Sequence, residues 1–109
     1  MTGNVNLFDS VPSGAVRFDD VALRLHPTDN IAVIKRPLQA GMTLEGGPTT
    51  LPVKQFIPDG HKIALESISA GEAVRRYGQI IGFATQDIAP GDHVHTHNLN
   101  VQDFAREYL

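Results

Sequence analysis

Aliphatic residues recur along this chain in short runs broken by glycine, proline or asparagine, not at the spacing of an amphipathic helix. Val21-Ala-Leu-Arg-Leu25 alternates and predicts a half-buried strand, and Ile31-Ala-Val-Ile34 predicts a fully buried one. Leu51-Pro-Val-Lys-Gln-Phe-Ile57 is a weaker strand, because Pro52 restricts it to a sheet edge or a strand start. Ile63–Leu65, Ala73–Tyr77, Ile80–Thr85 and His93–His97 complete the predicted strands. Residues 1–20, polar and turn-rich around Pro12-Ser13-Gly14, read as an N-terminal extension to one β domain over residues 21–99. Residues 100–109 read as a tail, in which Val101–Tyr108 has the composition of a short helix that needs packing to persist.

Four segments share one pattern: Leu38-Gln-Ala-Gly41-Met-Thr-Leu44, Ile57-Pro-Asp-Gly60-His-Lys-Ile63, Ile68-Ser-Ala-Gly71-Glu-Ala-Val74 and Ile88-Ala-Pro-Gly91-Asp-His-Val94. Each sets an aliphatic residue three positions before and three after a glycine. The pattern predicts a strand end, a tight turn with positive φ at the glycine, and a new strand. Two of these turns lead into histidines, at His61 and at His93-Val-His-Thr-His97.

The chain has 109 residues, enough for one modest core, which must be aliphatic because there are five Phe, two Tyr and no Trp. Ten Gly and seven Pro favour turns over long helices. A formal charge of −3, with Lys35-Arg36 and Arg75-Arg76 the adjacent basic pairs, argues against binding to a nucleic-acid backbone. The absence of cysteine excludes disulfides and thiolate chemistry. No secretory signal and no membrane-spanning stretch is visible, so the expected location is the cytoplasm.

The chemistry-bearing residues fall in three places. On an extended strand His93, His95 and His97 project from one face, and neutral imidazoles so placed suit a divalent metal. His95 and His97 are the preferred pair, since His93 sits nearest the turn; the same pattern also suits a solvated strand face. His61-Lys62 follows a turn glycine directly and offers a catalytic pair, a base and a carboxylate-binding cation, although such pairs are often only solvated. His26-Pro-Thr-Asp29-Asn30 brings imidazole, hydroxyl, carboxylate and amide together, and Asn98 adds an amide suited to a substrate hydroxyl. His26, Asp29, Asn30 and Asn98 are therefore candidate substrate contacts, while Pro, Asp and Asn are also ordinary turn formers.

Taken in order, His26-Pro-Thr-Asp-Asn-Ile-Ala-Val33, Gly60-His-Lys-Ile-Ala-Leu65, Tyr77-Gly-Gln-Ile-Ile-Gly82, Asp87-Ile-Ala-Pro-Gly91 and Val94-His-Thr-His-Asn98 resemble the small N-terminal domain of the altronate/galactarate dehydratase family. That family includes a sulfolactate dehydratase with a separate small subunit. The resemblance, covering about Leu23 to Leu99, implies a mainly β fold, the SAF-type β-clip of short strands and long hairpins. It implies dehydration of a sugar acid or related 2-hydroxy acid to a 2-keto-3-deoxy product, with a divalent metal, commonly iron(II). Family enzymes carry a much larger dehydratase portion, so the implied partner is a larger catalytic subunit, with the ends at Met1 and Leu109 favouring a small subunit over an excised fragment. Homo-oligomerisation is compatible with this. The alternative is a non-catalytic SAF module that binds carbohydrate or another ligand, or that serves oligomerisation.

Overall fold

The computed structural model describes residues 14–101. It is mainly β, with ten short strands and a single helical turn among those residues. They are β1 (Ala15–Arg17), α1 (Phe18–Val21), β2 (Ala22–Leu23), β3 (Ile31–Ile34), β4 (Thr43–Glu45), β5 (Leu51–Pro52), β6 (Lys62–Ala64), β7 (Ala73–Arg76), β8 (Gln79–Ala84), β9 (His93–Val94) and β10 (Leu99–Val101). The strands form three sheets, ordered β1-β4-β5, β10-β8-β7 and β2-β3-β6-β9. β5 lies at a sheet edge, as Pro52 requires.

The repeated glycine turns organise this architecture in pairs. Gly41, Gly60, Gly71 and Gly91 all have φ between 85° and 96°. In each turn the residue after glycine donates its N–H three residues back, as Met42 to Gln39 and Asp92 to Ala89, which with glycine third defines a type II turn. All eight flanking aliphatics are buried, none more than 2% exposed. Leu38 and Ile57 exchange both backbone hydrogen bonds, and so do Ile68 and Ile88. The glycine N–H groups follow the same rule: Gly41 donates to Val53 and Gly60 to Ile34, while Gly71 donates to Ala84 and Gly91 to Ala64. The chain is thus two similar halves, each a pair of turns clasped at their entrances.

Each half has its own core. One cluster contains Ile34, Leu38, Leu44, Leu51, Ile57 and Ile63, and the other contains Ala64, Ile68, Val74, Ile81, Ile88 and Val94. The four-stranded sheet separates them. In its register Ala32 faces Ile63 and Ile31 faces Ala64, so alternate residues of β3 and β6 turn to opposite clusters.

The boundaries depart from expectation at both ends of the domain. Ala15–Arg17 pairs in parallel with Thr43–Glu45, and Phe18 and Val21 are buried, so the packed body includes residues assigned above to the extension. The strand expected over Val21–Leu25 shrinks to Ala22–Leu23, since the Arg24 guanidinium turns back to donate to the carbonyls of Pro27 and Asp29. Leu99–Val101 pairs with β8 as a strand, and the remainder of the helix expected over Val101–Tyr108 lies outside the described residues.

The glycines are unequal in what surrounds them. A Cβ on Gly41 would meet nothing within 4 Å, whereas one on Gly91 would stand 2.0 Å from the Pro52 carbonyl oxygen. Gly41→Ala should therefore cost only its backbone strain, about 1–2 kcal/mol. Gly91→Ala adds a backbone clash and should cost roughly 3–5 kcal/mol. Thermal unfolding followed by circular dichroism checks the order, and equal shifts in Tm would contradict the paired-turn packing.

Candidate functional site

The four-stranded sheet joins histidines that lie far apart in sequence. β6 and β9 are antiparallel, with Lys62 opposite Val94 and Ile63 opposite His93. Continued by one residue, that register sets His61 against His95. Their rings stack with centroids 3.8 Å apart, and the His61 and His93 rings lie 5.0 Å apart. His61 Nδ1 and His93 Nε2 are 2.8 Å apart and share one proton in a hydrogen bond. The ligating nitrogens of His61, His93 and His95 all fall within 4.8 Å of one another. Each of the three side chains is half-buried.

The metal pair expected at His95 and His97 is therefore not the set that converges. β9 ends at Val94, because Asn98 closes a turn behind it: its Oδ1 accepts the His95 N–H and its Nδ2 donates to the His93 carbonyl. Alternation along an extended strand is lost beyond that point. His97 is exposed, with its ring tilted against His93 at 5.1 Å, and His61 takes the third place in the cluster.

The expected His61-Lys62 pair is likewise divided. Consecutive strand residues point to opposite faces. His61 lies on the face of Ile63 and His93, and Lys62 on the face of Ala64 and Val94. Burial, and then the charge of Arg76, lowers the Lys62 pKa below that of a free ammonium.

The candidate substrate contacts are engaged with the chain itself. Asp29, only 1% exposed, accepts the N–H groups of Tyr77 and Gly78 at 3.0 and 2.8 Å. Those two residues have φ of 60° and 73° and form the tip of the β7–β8 hairpin. Asn30, also buried, donates to the Ala73 carbonyl and accepts the Arg75 N–H, fixing β7 along its length. His26 is exposed; its Nδ1 accepts the Thr28 N–H, and its ring lies against Gly78. The segment from His26 to Asn30 thus clamps a hairpin, and buried Asn98 shapes the histidine turn.

Burial and neighbouring groups disfavour protonation of His93 and His95. Burial and the neighbouring His61, His97 and His95 push the His93 pKa down to about 4. Burial, then His61, Lys62 and His97, also lowers that of His95. Neutral imidazole is the metal-binding form, and three such nitrogens without a carboxylate in the set suit zinc, iron(II) or a similar borderline divalent ion. For both facing nitrogens of His61 and His93 to hold a cation, the proton between them would have to move to the other nitrogen of its own ring, leaving both rings neutral. The donor set fits the divalent metal that the resemblance implies.

The sign of the His93 shift sets a pH dependence. The unfolded chain takes up a proton near 6.5, whereas the folded chain resists it until about 4. Stability should therefore fall as pH drops from about 6.5 to 4, and in His93→Gln this slope should diminish. Denaturant unfolding across that window measures it, and an identical slope in the variant would refute the assignment.

Comparison with known proteins agrees with the ordered segments. Residues 20–102 match the profile of the altronate/galactarate dehydratase SAF domain. The altronate dehydratase of Bacillus subtilis (strain 168) is 41% identical over 76 residues, covering 70% of this chain and 15% of its own length. The galactarate dehydratase (L-threo-forming) of Escherichia coli (strain K12) is 38% identical over 74 residues, 66% of this chain and 14% of its own. The (2R)-sulfolactate sulfo-lyase subunit alpha of Chromohalobacter salexigens is 33% identical over 86 residues, covering 72% of this chain and 92% of its own. The last is named a sulfo-lyase, where a sulfolactate dehydratase was expected. The chain thus spans a small part of the dehydratases and most of the subunit. It belongs to the altronate/galactarate dehydratase SAF-domain family, within a group of dehydratases and lyases.

Proposed function

We propose that this chain is the small subunit of a hydro-lyase that converts a sugar acid or related 2-hydroxy acid into a 2-keto-3-deoxy product together with a larger catalytic subunit. The observation that carries the reading is the histidine cluster at the β6–β9 junction, in a chain whose relatives are either long dehydratases or a named subunit of similar size. Homo-oligomers of the pair are compatible with it.

The reaction removes the C2 proton beside a carboxylate and expels the C3 substituent, and the resulting enol tautomerises to the 2-keto acid. The C2 proton is weakly acidic, so charge developing on the carboxylate oxygens must be stabilised for the step to proceed. A divalent metal, iron(II) or a similar ion, would supply Lewis-acid stabilisation at that point. His61, His93 and His95 would hold it, leaving positions open to substrate and to the larger chain. His61 belongs to this set in preference to a His–Lys catalytic pair, and His97 flanks it. Asp29, Asn30 and His26 serve by fixing the β7–β8 hairpin, and Asn98 by setting the angle of His93 and His95.

This assignment predicts unequal consequences within the histidine run. In the enzyme reconstituted from both subunits, His95→Ala should lower kcat/KM by about a hundredfold to a thousandfold, in the range of a lost electrostatic contact. His97→Ala should stay within roughly tenfold of the parent. Both variants should keep the parent's circular dichroism. Capture of the tagged chain from native lysate, with mass spectrometry of co-purifying chains, supplies the partner for the assay. A chain that returns alone would leave the non-catalytic binding module as the better account, and full activity in His95→Ala would remove the histidine cluster from the reaction.

A further inference from the structure

The repeated glycine turns share a side-chain device as well as a backbone. In three of them the residue after glycine reaches back and caps the N–H at the first position of the turn. Met42 Sδ accepts the Gln39 N–H at 3.1 Å, Glu72 Oε1 that of Ser69 at 2.7 Å, and Asp92 Oδ2 that of Ala89 at 2.8 Å. Three different side chains answer one demand, set by a backbone donor that takes no part in the turn's own hydrogen bond.

The remaining turn, Pro58-Asp59-Gly60-His61, has the same backbone. The His61 N–H donates to the Pro58 carbonyl at 3.2 Å, and Gly60 has a φ of 85°. His61 thus stands at the capping position, and its Nδ1 lies as many bonds from Cα as a carboxylate oxygen of aspartate does. An imidazole of this chain already accepts such a donor, since His26 Nδ1 takes the Thr28 N–H at 3.1 Å. Proline, however, has no N–H to cap. His61 Nδ1 instead meets His93 Nε2 at 2.8 Å, and its ring stacks on His95. The turn at Gly91 spares its histidine differently: Asp92 does the capping, and His93 follows one residue later.

We propose that Pro58 is a positioning residue of the histidine cluster, freeing the His61 imidazole by withholding the N–H that would draw it back into its own turn. With an N–H at position 58, His61 Nδ1 has two exclusive uses, capping that turn or facing His93. The cap is local and needs no second strand. A cation held at His61 would have to displace it, so the capped chain binds metal more weakly. That consequence rests on the cation-site reading above, whereas the exchange of hydrogen bonds does not.

Gln39, Ser69 and Ala89 hold the equivalent place in the other turns, so the fold accepts a residue with an N–H there and Pro58→Ala should fold. In the 15N-labelled parent chain, nitrogen–nitrogen coupling across the hydrogen bond should join His61 Nδ1 to His93 Nε2. In Pro58→Ala that coupling should vanish, replaced by one between the backbone nitrogen of residue 58 and His61 Nδ1. An ester-linked lactate at position 58 has the alanine side chain and no N–H, and should restore the parent coupling. Cobalt(II) affinity should fall about fivefold to tenfold in Pro58→Ala, the scale of one hydrogen bond, and return with the lactate. A parent coupling that is absent or that survives in Pro58→Ala, or a lactate chain that behaves like Pro58→Ala, would overturn the proposal. Couplings that exchange as stated in a chain that binds no cobalt(II) would refute the cation site and leave the role of Pro58 standing. Equal cobalt(II) binding by the parent and Pro58→Ala, with the coupling unchanged, would do the reverse.

Discussion

The reciprocal backbone pairing of turn entrances, Leu38 with Ile57 and Ile68 with Ile88, is the constraint on which this fold depends. A strand of three or four residues buries too little to be stable by itself. Here each pair of short strands is joined at one end by a clasp, and the residues that make the clasp are fully inside the core. The glycine at each turn supplies the positive φ that lets the chain reverse between two buried aliphatics. The halves repeat at an interval of 30 residues from Leu38 to Ile68 and 31 from Ile57 to Ile88. The resulting bodies share the four-stranded sheet as a common wall.

That wall explains why the neighbouring His61 and Lys62 have different surroundings. β6 carries His61 and Lys62 in adjacent positions, and the pleat sends them to opposite sides. On one side His61 meets His93 and His95, which arrive from the last repeated turn. On the other, Lys62 lies with Ala64 and Val94 beside the second core cluster. The polar residues of the His26–Asn30 segment are structural in their contacts, holding the turn and the β7–β8 hairpin.

Much of this was legible in the sequence, and the failures have physical causes. The four glycine turns could be read because positive φ and flanking burial leave a local signature in residue type. Their pairing into two clasps could not, since backbone exchange between Leu38 and Ile57 has no side-chain mark. The histidines were recognised as chemistry, but grouping them by alternation put His97 in place of His61. Alternation holds only while the chain stays extended, and the Asn98 side chain ends that condition at Val94. The antiparallel register of β6 and β9 brings in His61, and the signal available for it was that histidines follow the glycine of two repeated turns, one residue after Gly60 and two after Gly91. Two adjacent Arg on a strand offer no hint of which one is buried, and the structure buries the Arg76 Nε.

The central claim is that side chains from two repeated turns, His61 from one and His93 with His95 from the other, make a single cation site. Cobalt(II) titration of the purified chain, followed by its visible absorption, tests it most directly. The account predicts uptake of about one cobalt(II) per chain with bands of nitrogen coordination, lost in His61→Gln and retained in His97→Gln. Uptake in His61→Gln equal to that of the parent chain, or none in the parent, would contradict it.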